Sequence, residues 1–291
     1  METGILRRDE EKKVMEAAVP VGVIAALIPS TSPTSTVIFK AMIALKTANS
    51  IIFSPRPSAA QCIQATVDVI RQALKKFGAP ENAVNYLEYA SLEATQELMD
   101  DRDTKMILAT GGKAMVKAAY SSGPPAIGVG PRNVPCYIAK TANIPLTVER
   151  IIGSKTFDNG VICASEQSVI MDEAIAEAVK EEFIKQGSYF ITGEDADKFD
   201  KLMIQGNGLM NPAMVGKDAQ TLGKIAGVDI PEDVKVIIHE ETQVGRDYSY
   251  STEKLCPVLA FYSLLFENNT VKKRKKTLSV LYLRRTYLKM S

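Results

Sequence analysis

The 291-residue sequence contains one histidine, no tryptophan and four cysteines. A single histidine, His239, excludes sites that need two or more histidines from this chain, including histidine-rich zinc and iron centres. The cysteines at positions 62, 136, 163 and 256 lie far apart, unlike the dense disulfide framework of a small secreted domain or the C-x-x-C spacing of a zinc site. A reducing, cytoplasmic environment and no metal site are therefore expected.

The sequence also lacks an excess of either charge and a long apolar helix. Thirty-five basic residues balance thirty-four acidic ones, so the composition favours neither nucleic acid nor a membrane surface as a partner. A secretory signal peptide begins with a basic region followed by an apolar one, whereas residues 1–11 contain acidic side chains. No export signal is therefore expected. Residues 17–39 are uncharged, but Pro20, Pro29 and Pro33 interrupt any helix that would span a membrane.

Short apolar segments alternate with amphipathic ones along the chain. Residues 21–28, 51–54 and 106–109 are typical of strands buried on both faces of a sheet, and helical patterns follow each of them. This alternation predicts an α/β fold with mostly parallel sheets and with ligands bound outside the carboxyl ends of the strands. A second α/β region is expected to begin between residues 134 and 150. Its predicted strands span residues 168–171, 234–238 and 255–262.

The composition changes after residue 263. Residues 271–291 contain eight Lys or Arg and no Asp or Glu, which leaves the rest of the chain mildly acidic. Such a run is typical of a solvated or poorly folded segment, with a nucleic-acid or targeting patch as the alternative. We expect residues 264–291 to form a loosely attached basic tail.

Cys163 has the surroundings most typical of a nucleophile. It follows a glycine-bearing loop and precedes a Ser-Glu-Gln run that could begin a helix or turn with free backbone N–H groups, which stabilise thiolates. The same apolar flanks are also typical of a buried core cysteine, so both interpretations stay open. The other three cysteines are expected to be structural.

Three longer segments carry a resemblance to a known family: residues 20–36, 115–123 and 154–168. They closely resemble the CoA-acylating aldehyde dehydrogenases, in particular the aldehyde dehydrogenase half of the bifunctional aldehyde-alcohol dehydrogenases. The similarity extends over about residues 15–263.

The resemblance implies the aldehyde dehydrogenase superfamily fold. Residues 1–133 would form a Rossmann-like NAD-binding domain, and residues 134–263 would form part of an α/β catalytic domain with a nucleophilic cysteine. Family members extend beyond both ends of this similarity, so the chain is expected to be truncated at both ends, with the tail outside the family.

The resemblance also implies roles for individual residues. Cys163 becomes the nucleophile, and Ser32 a weaker donor to the oxyanion because the superfamily has an asparagine at that position. The residues implied in NAD binding are Ser54, Pro55 and Arg56 near the adenosine ribose, Thr110, Gly111 and Gly112 at the pyrophosphate, and Glu253 at the nicotinamide ribose.

The implied reaction is the NAD-dependent conversion of acetaldehyde or another short-chain aldehyde to acetyl-CoA, and its reverse, in fermentative alcohol metabolism. A thiohemiacetal on Cys163 would lose a hydride, and the resulting thioester would pass to the thiol of CoA. Hydrolytic relatives have a general-base glutamate where this chain has Gly128, and without that carboxylate water is poorly activated. The resemblance therefore favours CoA as the acceptor, with NADP as an alternative cofactor and homo-oligomers expected in full-length relatives.

Two alternatives remain open. One is a hydrolytic or semialdehyde dehydrogenase with the same fold. The other is an inactive fragment that binds a nucleotide or assembles with other chains. Two departures from the family pattern bear on activity: Lys113-Ala114 replaces Pro-Gly, and Pro131-Arg132 replaces a small Ala-Gly pair where glycine allows a close backbone approach.

Overall fold

The computed structural model describes residues 3–205, 210–245 and 247–264, together with the short pieces 266–267 and 270–271. The chain divides into two compact units, Met1–Pro131 and Arg132–Ser291. Each unit contains one five-stranded parallel sheet, which confirms the predicted α/β class. The basic run of the expected tail, residues 272–291, lies outside the described residues.

The first unit begins with an antiparallel hairpin and continues as alternating strands and helices. The hairpin joins β1 (Gly4–Asp9) and β2 (Val14–Ala18). The sheet strands are β3 (Val23–Leu27), β4 (Ser50–Ser54), β5 (Val84–Tyr86), β6 (Thr104–Thr110) and β7 (Ala126–Val129). The helices are α1 (Pro33–Lys46), α2 (Ala60–Lys76), α3 (Leu92–Asp100) and α4 (Lys113–Ser121).

The strand order of this sheet, β5-β4-β3-β6-β7, reverses direction next to its central strand. The chain first builds outward from β3 to β4 and β5, and then returns to place β6 on the other side of β3. The carboxyl ends of β3 and β6 flank this switch point, which is where ligands bind in open α/β sheets. Helices α1 and α4 both begin there.

The second unit repeats this alternation with a different order. Its strands are β8 (Val134–Ile138), β9 (Glu166–Asp172), β10 (Ser188–Phe190), β11 (Val236–Glu240) and β12 (Val258–Leu264), arranged β10-β11-β12-β9-β8. Its helices are α5 (Ile144–Thr156), α6 (Glu173–Lys185), α7 (Gly193–Met203) and α8 (Ala219–Ala226). Two short strands, β13 (Phe266–Glu267) and β14 (Thr270–Val271), pair antiparallel.

Both sheets are buried on their two faces. Along β12, Val258, Ala260 and Tyr262 join one apolar cluster, whereas Leu259 and Phe261 join the cluster on the opposite face. Successive side chains of a strand point to opposite faces of the sheet. Because both faces are buried here, the sequence of such a strand is a continuous apolar run. Within the described residues, no helix is long and apolar enough to cross a membrane.

Candidate active-site residues

Cys163 lies in an irregular loop between α5 and β9. Three consecutive residues of this loop, Asp158, Asn159 and Gly160, have positive φ angles of 49°, 49° and 72°. Glycine adopts this left-handed region freely, and Asp and Asn tolerate it better than other side chains, with modest strain. Such uncommon backbone conformations are concentrated in turns and at functional sites.

Contacts on two sides hold the strained residues in place. The Asn159 side-chain amide donates to the Gly216 carbonyl at 3.0 Å, and the Gly216 N–H in turn donates to the Leu255 carbonyl at 2.8 Å. At Gly160, a Cβ atom would lie 2.8 Å from the Cys256 carbonyl oxygen. The loop therefore lies directly against residues 255 and 256, and position 160 has room for glycine alone.

The Cys163 side chain is exposed, which decides against the alternative of a buried core cysteine. Of the predicted helix or turn at this point the structure has a turn, and the Ser-Glu-Gln run leads from it into strand β9. The free donors come from the turn itself. Within the described residues, the N–H groups of residues 162, 163 and 164 have no hydrogen-bond acceptor, whereas Val161 and Ser165 donate to Asp158 and Ile162.

This turn therefore carries an exposed thiol and three neighbouring backbone N–H groups that have no acceptor within the described residues. Backbone N–H groups stabilise a thiolate and also the oxyanion that forms when a thiolate adds to a carbonyl. The loop therefore offers a nucleophile together with donors for the charge that its attack creates.

The other cysteines differ in accessibility. Burial raises the pKa of the Cys136 thiol, with a smaller contribution from Glu166, and it raises the pKa of Cys256 to about 11. Cys62 is exposed on α2, with its sulfur 3.1 Å from the Thr34 hydroxyl oxygen. Cys163 is therefore more accessible than Cys136 and Cys256, but Cys62 is exposed as well, so accessibility alone does not identify a nucleophile.

Glu253 belongs to the same unit as Cys163. Its carboxylate accepts a hydrogen bond from the Arg132 backbone N–H at 3.0 Å, and burial raises its pKa. The neighbouring Asn133 side chain donates to the Ser251 carbonyl. The carboxylate thus fixes the start of this unit to the segment before Cys256.

Ser32 follows strand β3, and Ser54 is the last residue of the adjacent strand β4 in the first unit. Ser32 precedes α1, where its carbonyl accepts from the Thr36 N–H at 3.2 Å while its hydroxyl makes no helix cap. Ser54 is buried, and its hydroxyl lies 2.7 Å from the Thr95 hydroxyl. The Ser54 side chain is therefore already partnered, whereas the Ser32 hydroxyl is 3.4 Å from Thr36 Oγ1 in a weak contact.

Arg56 and the double glycine come together at the start of α4. An atom added as Cβ to Gly112 would lie 3.8 Å from the Arg56 guanidinium, and one added to Gly111 would lie 2.7 Å from the Met115 sulfur. The first-turn N–H groups of a helix carry partial positive charge, to which Arg56 adds a full charge. The site beside Thr110 therefore suits a phosphate or pyrophosphate group.

A lysine that the sequence analysis missed lies at the switch point. Lys40 on α1 is buried and donates to the Leu27 carbonyl at 2.9 Å and to the Leu108 carbonyl at 2.7 Å, joining the ends of β3 and β6. Desolvation lowers its pKa to about 7. In the sequence Lys40 is one of two lysines within a helical pattern, and such patterns give no sign that a lysine is buried.

Gly128 on β7 is tightly enclosed. Its N–H donates to the Tyr120 hydroxyl at 2.9 Å, and a Cβ atom would lie 2.5 Å from Val116 Cγ1 and 2.8 Å from Tyr120 Cε2. A larger residue at this position therefore requires Val116 and Tyr120 of α4 to shift.

Residues 1–205 match the aldehyde dehydrogenase family. The chain is 47% identical over 259 residues to an aldehyde-alcohol dehydrogenase of Clostridium acetobutylicum, covering 89% of this chain and 30% of that protein. It is 53% identical to a probable aldehyde dehydrogenase from Listeria monocytogenes, with a TM-score of 0.89 over 91% of this chain and 59% of the other. An acetylating aldehyde dehydrogenase from Geobacillus thermoglucosidasius is 51% identical, with a TM-score of 0.86 over 90% of this chain and 57% of the other.

The chain thus spans under a third of that curated relative and under two thirds of the two solved structures. The confirmed expectations are the α/β fold and the resemblance to acylating aldehyde dehydrogenases. The roles of the individual site residues remain predictions.

Proposed function

Since the chain belongs to the aldehyde dehydrogenase family, we propose that it acts as an acylating aldehyde dehydrogenase, converting a short-chain aldehyde and CoA to acyl-CoA. The observation that carries this proposal is the exposed Cys163 thiol beside the unpartnered N–H groups of a strained loop. The acetylating enzyme from Geobacillus supports acetaldehyde as the preferred aldehyde.

The chemistry begins when the Cys163 thiolate adds to the aldehyde carbon and forms a C–S bond. The N–H groups of residues 162–164 hold the oxyanion that results. When bound, NAD supplies the acceptor for the hydride that leaves this carbon. The thiolate of CoA then attacks the thioester carbonyl, the bond to Cys163 breaks, and the cysteine returns as a thiolate.

The residues around Gly128 support a thiol over water as the acceptor. Water needs a general base, and hydrolytic relatives were expected to carry it at this position. A Cβ atom there would lie 2.5 Å from Val116 Cγ1 and 2.8 Å from Tyr120 Cε2, so a carboxylate side chain at this position requires these side chains to move. A thiol needs less assistance because it ionises near pH 8.5.

The start of α4 is the proposed place for the pyrophosphate of NAD, held by Arg56, Gly111 and Gly112. In the same proposal, residues 54 and 55 contact the adenosine side, Glu253 binds the nicotinamide ribose, and Ser32 assists at the oxyanion. The domain boundary near residue 133, a homo-oligomer and a cytoplasmic location belong to the proposal too, the last supported by four free cysteines.

The test is the formation of NADH from acetaldehyde with and without CoA. Cys163→Ser is expected to abolish it, because a hydroxyl lacks the nucleophilicity of a thiolate. Cys62→Ser is the matched control, since Cys62 is equally classed as exposed but lies on a regular helix. Activity that survives Cys163→Ser, or free acetate formed as fast without CoA as acyl-CoA with it, would contradict the proposal.

A further inference from the structure

Two fully buried lysines lie on the segments that flank the Cys163 loop. Lys155 is in the last turn of α5 and Lys254 precedes Cys256, and both are 0% exposed. Their hydrogen bonds go to uncharged oxygens: Lys155 Nζ donates to Gln167 and to the Lys254 carbonyl, and Lys254 Nζ to two backbone carbonyls. Burying an ammonium group without a bonded carboxylate is costly, so these lysines call for a role beyond stability.

The hydrogen bonds of Lys155 close the loop that carries the candidate nucleophile. Lys155 Nζ lies 3.2 Å from Gln167 Oε1, so these two side chains join the ends of the segment 156–166. The same Gln167 oxygen accepts from the Lys254 N–H at 2.8 Å, and Lys155 Nζ reaches the Lys254 carbonyl at 3.2 Å. Gln167 Oε1 therefore links the two ends of the loop and also binds the segment that precedes Cys256.

Burial and neighbouring charges act on both lysines of this contact. Burial lowers the pKa of Lys155 to about 8, whereas Cys256, Glu166 and Glu253 act in the opposite direction. Burial and the neighbouring Lys155 lower the pKa of Lys254 well below its ordinary value, against smaller effects of Cys256, Glu241 and Glu253. Burial therefore opposes the charged form of both lysines, and the charge of Lys155 further lowers the pKa of Lys254.

We propose that Lys155, Gln167 and the Lys254 backbone form a clasp that positions Cys163. The clasp holds residues 158–160 in their left-handed conformation, and it thereby maintains the turn of residues 161–165 that presents the Cys163 thiol and the neighbouring N–H groups. These three are positioning residues, and the inference rests on the proposed function only in taking Cys163 as the nucleophile.

The test measures the alkylation of Cys163 by iodoacetamide in the full chain, without substrates, from about pH 6 to about pH 10. Peptide mass spectrometry follows each cysteine separately. Gln167→Met removes the acceptor oxygen at similar size, and Lys155→Met removes the donor. Gln167→Glu keeps the acceptor, while Gln243→Met and Lys185→Met are controls at exposed positions.

Losing the clasp is expected to raise the pH midpoint of Cys163 alkylation and to slow alkylation near pH 7 by about fivefold, the factor that corresponds to one net hydrogen bond. The rates should converge near pH 10, where the thiol is ionised whatever the loop does. Both control variants should keep the original midpoint, and Gln167→Glu should restore only part of the alkylation rate lost in Gln167→Met, because its buried negative charge opposes the thiolate.

Cys256 reports on folding because it is buried in the native chain. An unchanged Cys163 midpoint in Gln167→Met, with Cys256 still protected, would overturn the clasp. If Cys256 instead reacts as fast as Cys62 in both Met variants, the contact serves folding alone and positioning is again refuted. If the unaltered chain labels Cys163 no faster than Cys62, the proposed nucleophile fails independently of any variant.

Discussion

Gly128→Ala tests whether the side chains of α4 that pack against β7 leave room for a Cβ atom at position 128. The added Cβ would lie 2.5 Å from Val116 Cγ1 and 2.8 Å from Tyr120 Cε2, whereas carbon atoms pack at about 3.5–4.0 Å. Val116 is β-branched on a helix, so its side chain has essentially one rotamer and cannot turn away. Overpacking of this kind costs about 1–3 kcal/mol, and disturbing the Gly128–Tyr120 hydrogen bond adds about 1 kcal/mol.

The assay is the midpoint of thermal unfolding, which falls by about 3 °C per kcal/mol for a chain of this size. Gly130→Ala is the matched control, because its added Cβ has no atom within 4 Å and its φ is not positive. Combining Gly128→Ala with Val116→Ala should recover at least about 1 kcal/mol beyond additivity. A Gly128→Ala variant as stable as Gly130→Ala would refute the steric argument.

The same geometry governs attempts to introduce hydrolysis. Gly128→Glu alone should yield a destabilised chain without faster release of free acetate, because the carboxylate has no space. Only together with smaller residues at positions 116 and 120 is the glutamate expected to activate water. Rapid acetate formation by the single variant would show that the α4 side chains move aside readily.

Two further variants test the strained loop and the switch point. Gly160 has a φ of 72°, and a Cβ added there would lie 2.8 Å from the Cys256 carbonyl oxygen. Gly160→Ala should therefore lower the free energy of unfolding by about 2 kcal/mol and slow the alkylation of Cys163. Gly153→Ala in α5 is the control, because its added Cβ meets no atom within 4 Å, and it should have neither effect. Lys40 has a folded-state pKa of about 7 against an ordinary value of 10.5, so its contribution to stability is present above pH 10.5 and is lost as the pH falls through 7. Between pH 7 and pH 10.5 the free energy of unfolding should rise with pH, and Lys40→Met should reduce this slope by at most about 1.4 kcal/mol per pH unit. Urea unfolding at several pH values measures the slope. An unchanged slope in Lys40→Met would contradict the lowered pKa of Lys40.

The strands that carry the candidate site were predictable because they are buried on both faces. The apolar run at residues 21–28 predicts β3, and the run at 106–109 predicts β6. The hairpin of β1 and β2 was missed because its side chains are mostly exposed and show no alternation. Strands β5 and β10 have three residues each, which is too short for a periodic signal.

The side-chain environment was less predictable than the backbone. Apolar neighbours of Cys163 indicated burial, yet the backbone turns there and exposes the thiol. A usable signal did exist: Asp-Asn-Gly at positions 158–160 is a run of the residues that best tolerate the left-handed conformation. The burial of Lys40, Lys155 and Lys254 had no such signal, because periodicity places a Cα on a face and does not show where a long side chain ends.

Several unfavourable features coincide at the Cys163 loop. Two adjacent non-glycine residues adopt positive φ angles, and two lysines are buried beside the loop without a bonded carboxylate. Cys62 is also exposed, but it lies on a regular helix with none of these features. Left-handed backbone and buried lysines of this kind are common at functional sites, and they support the proposal that Cys163 is the nucleophile.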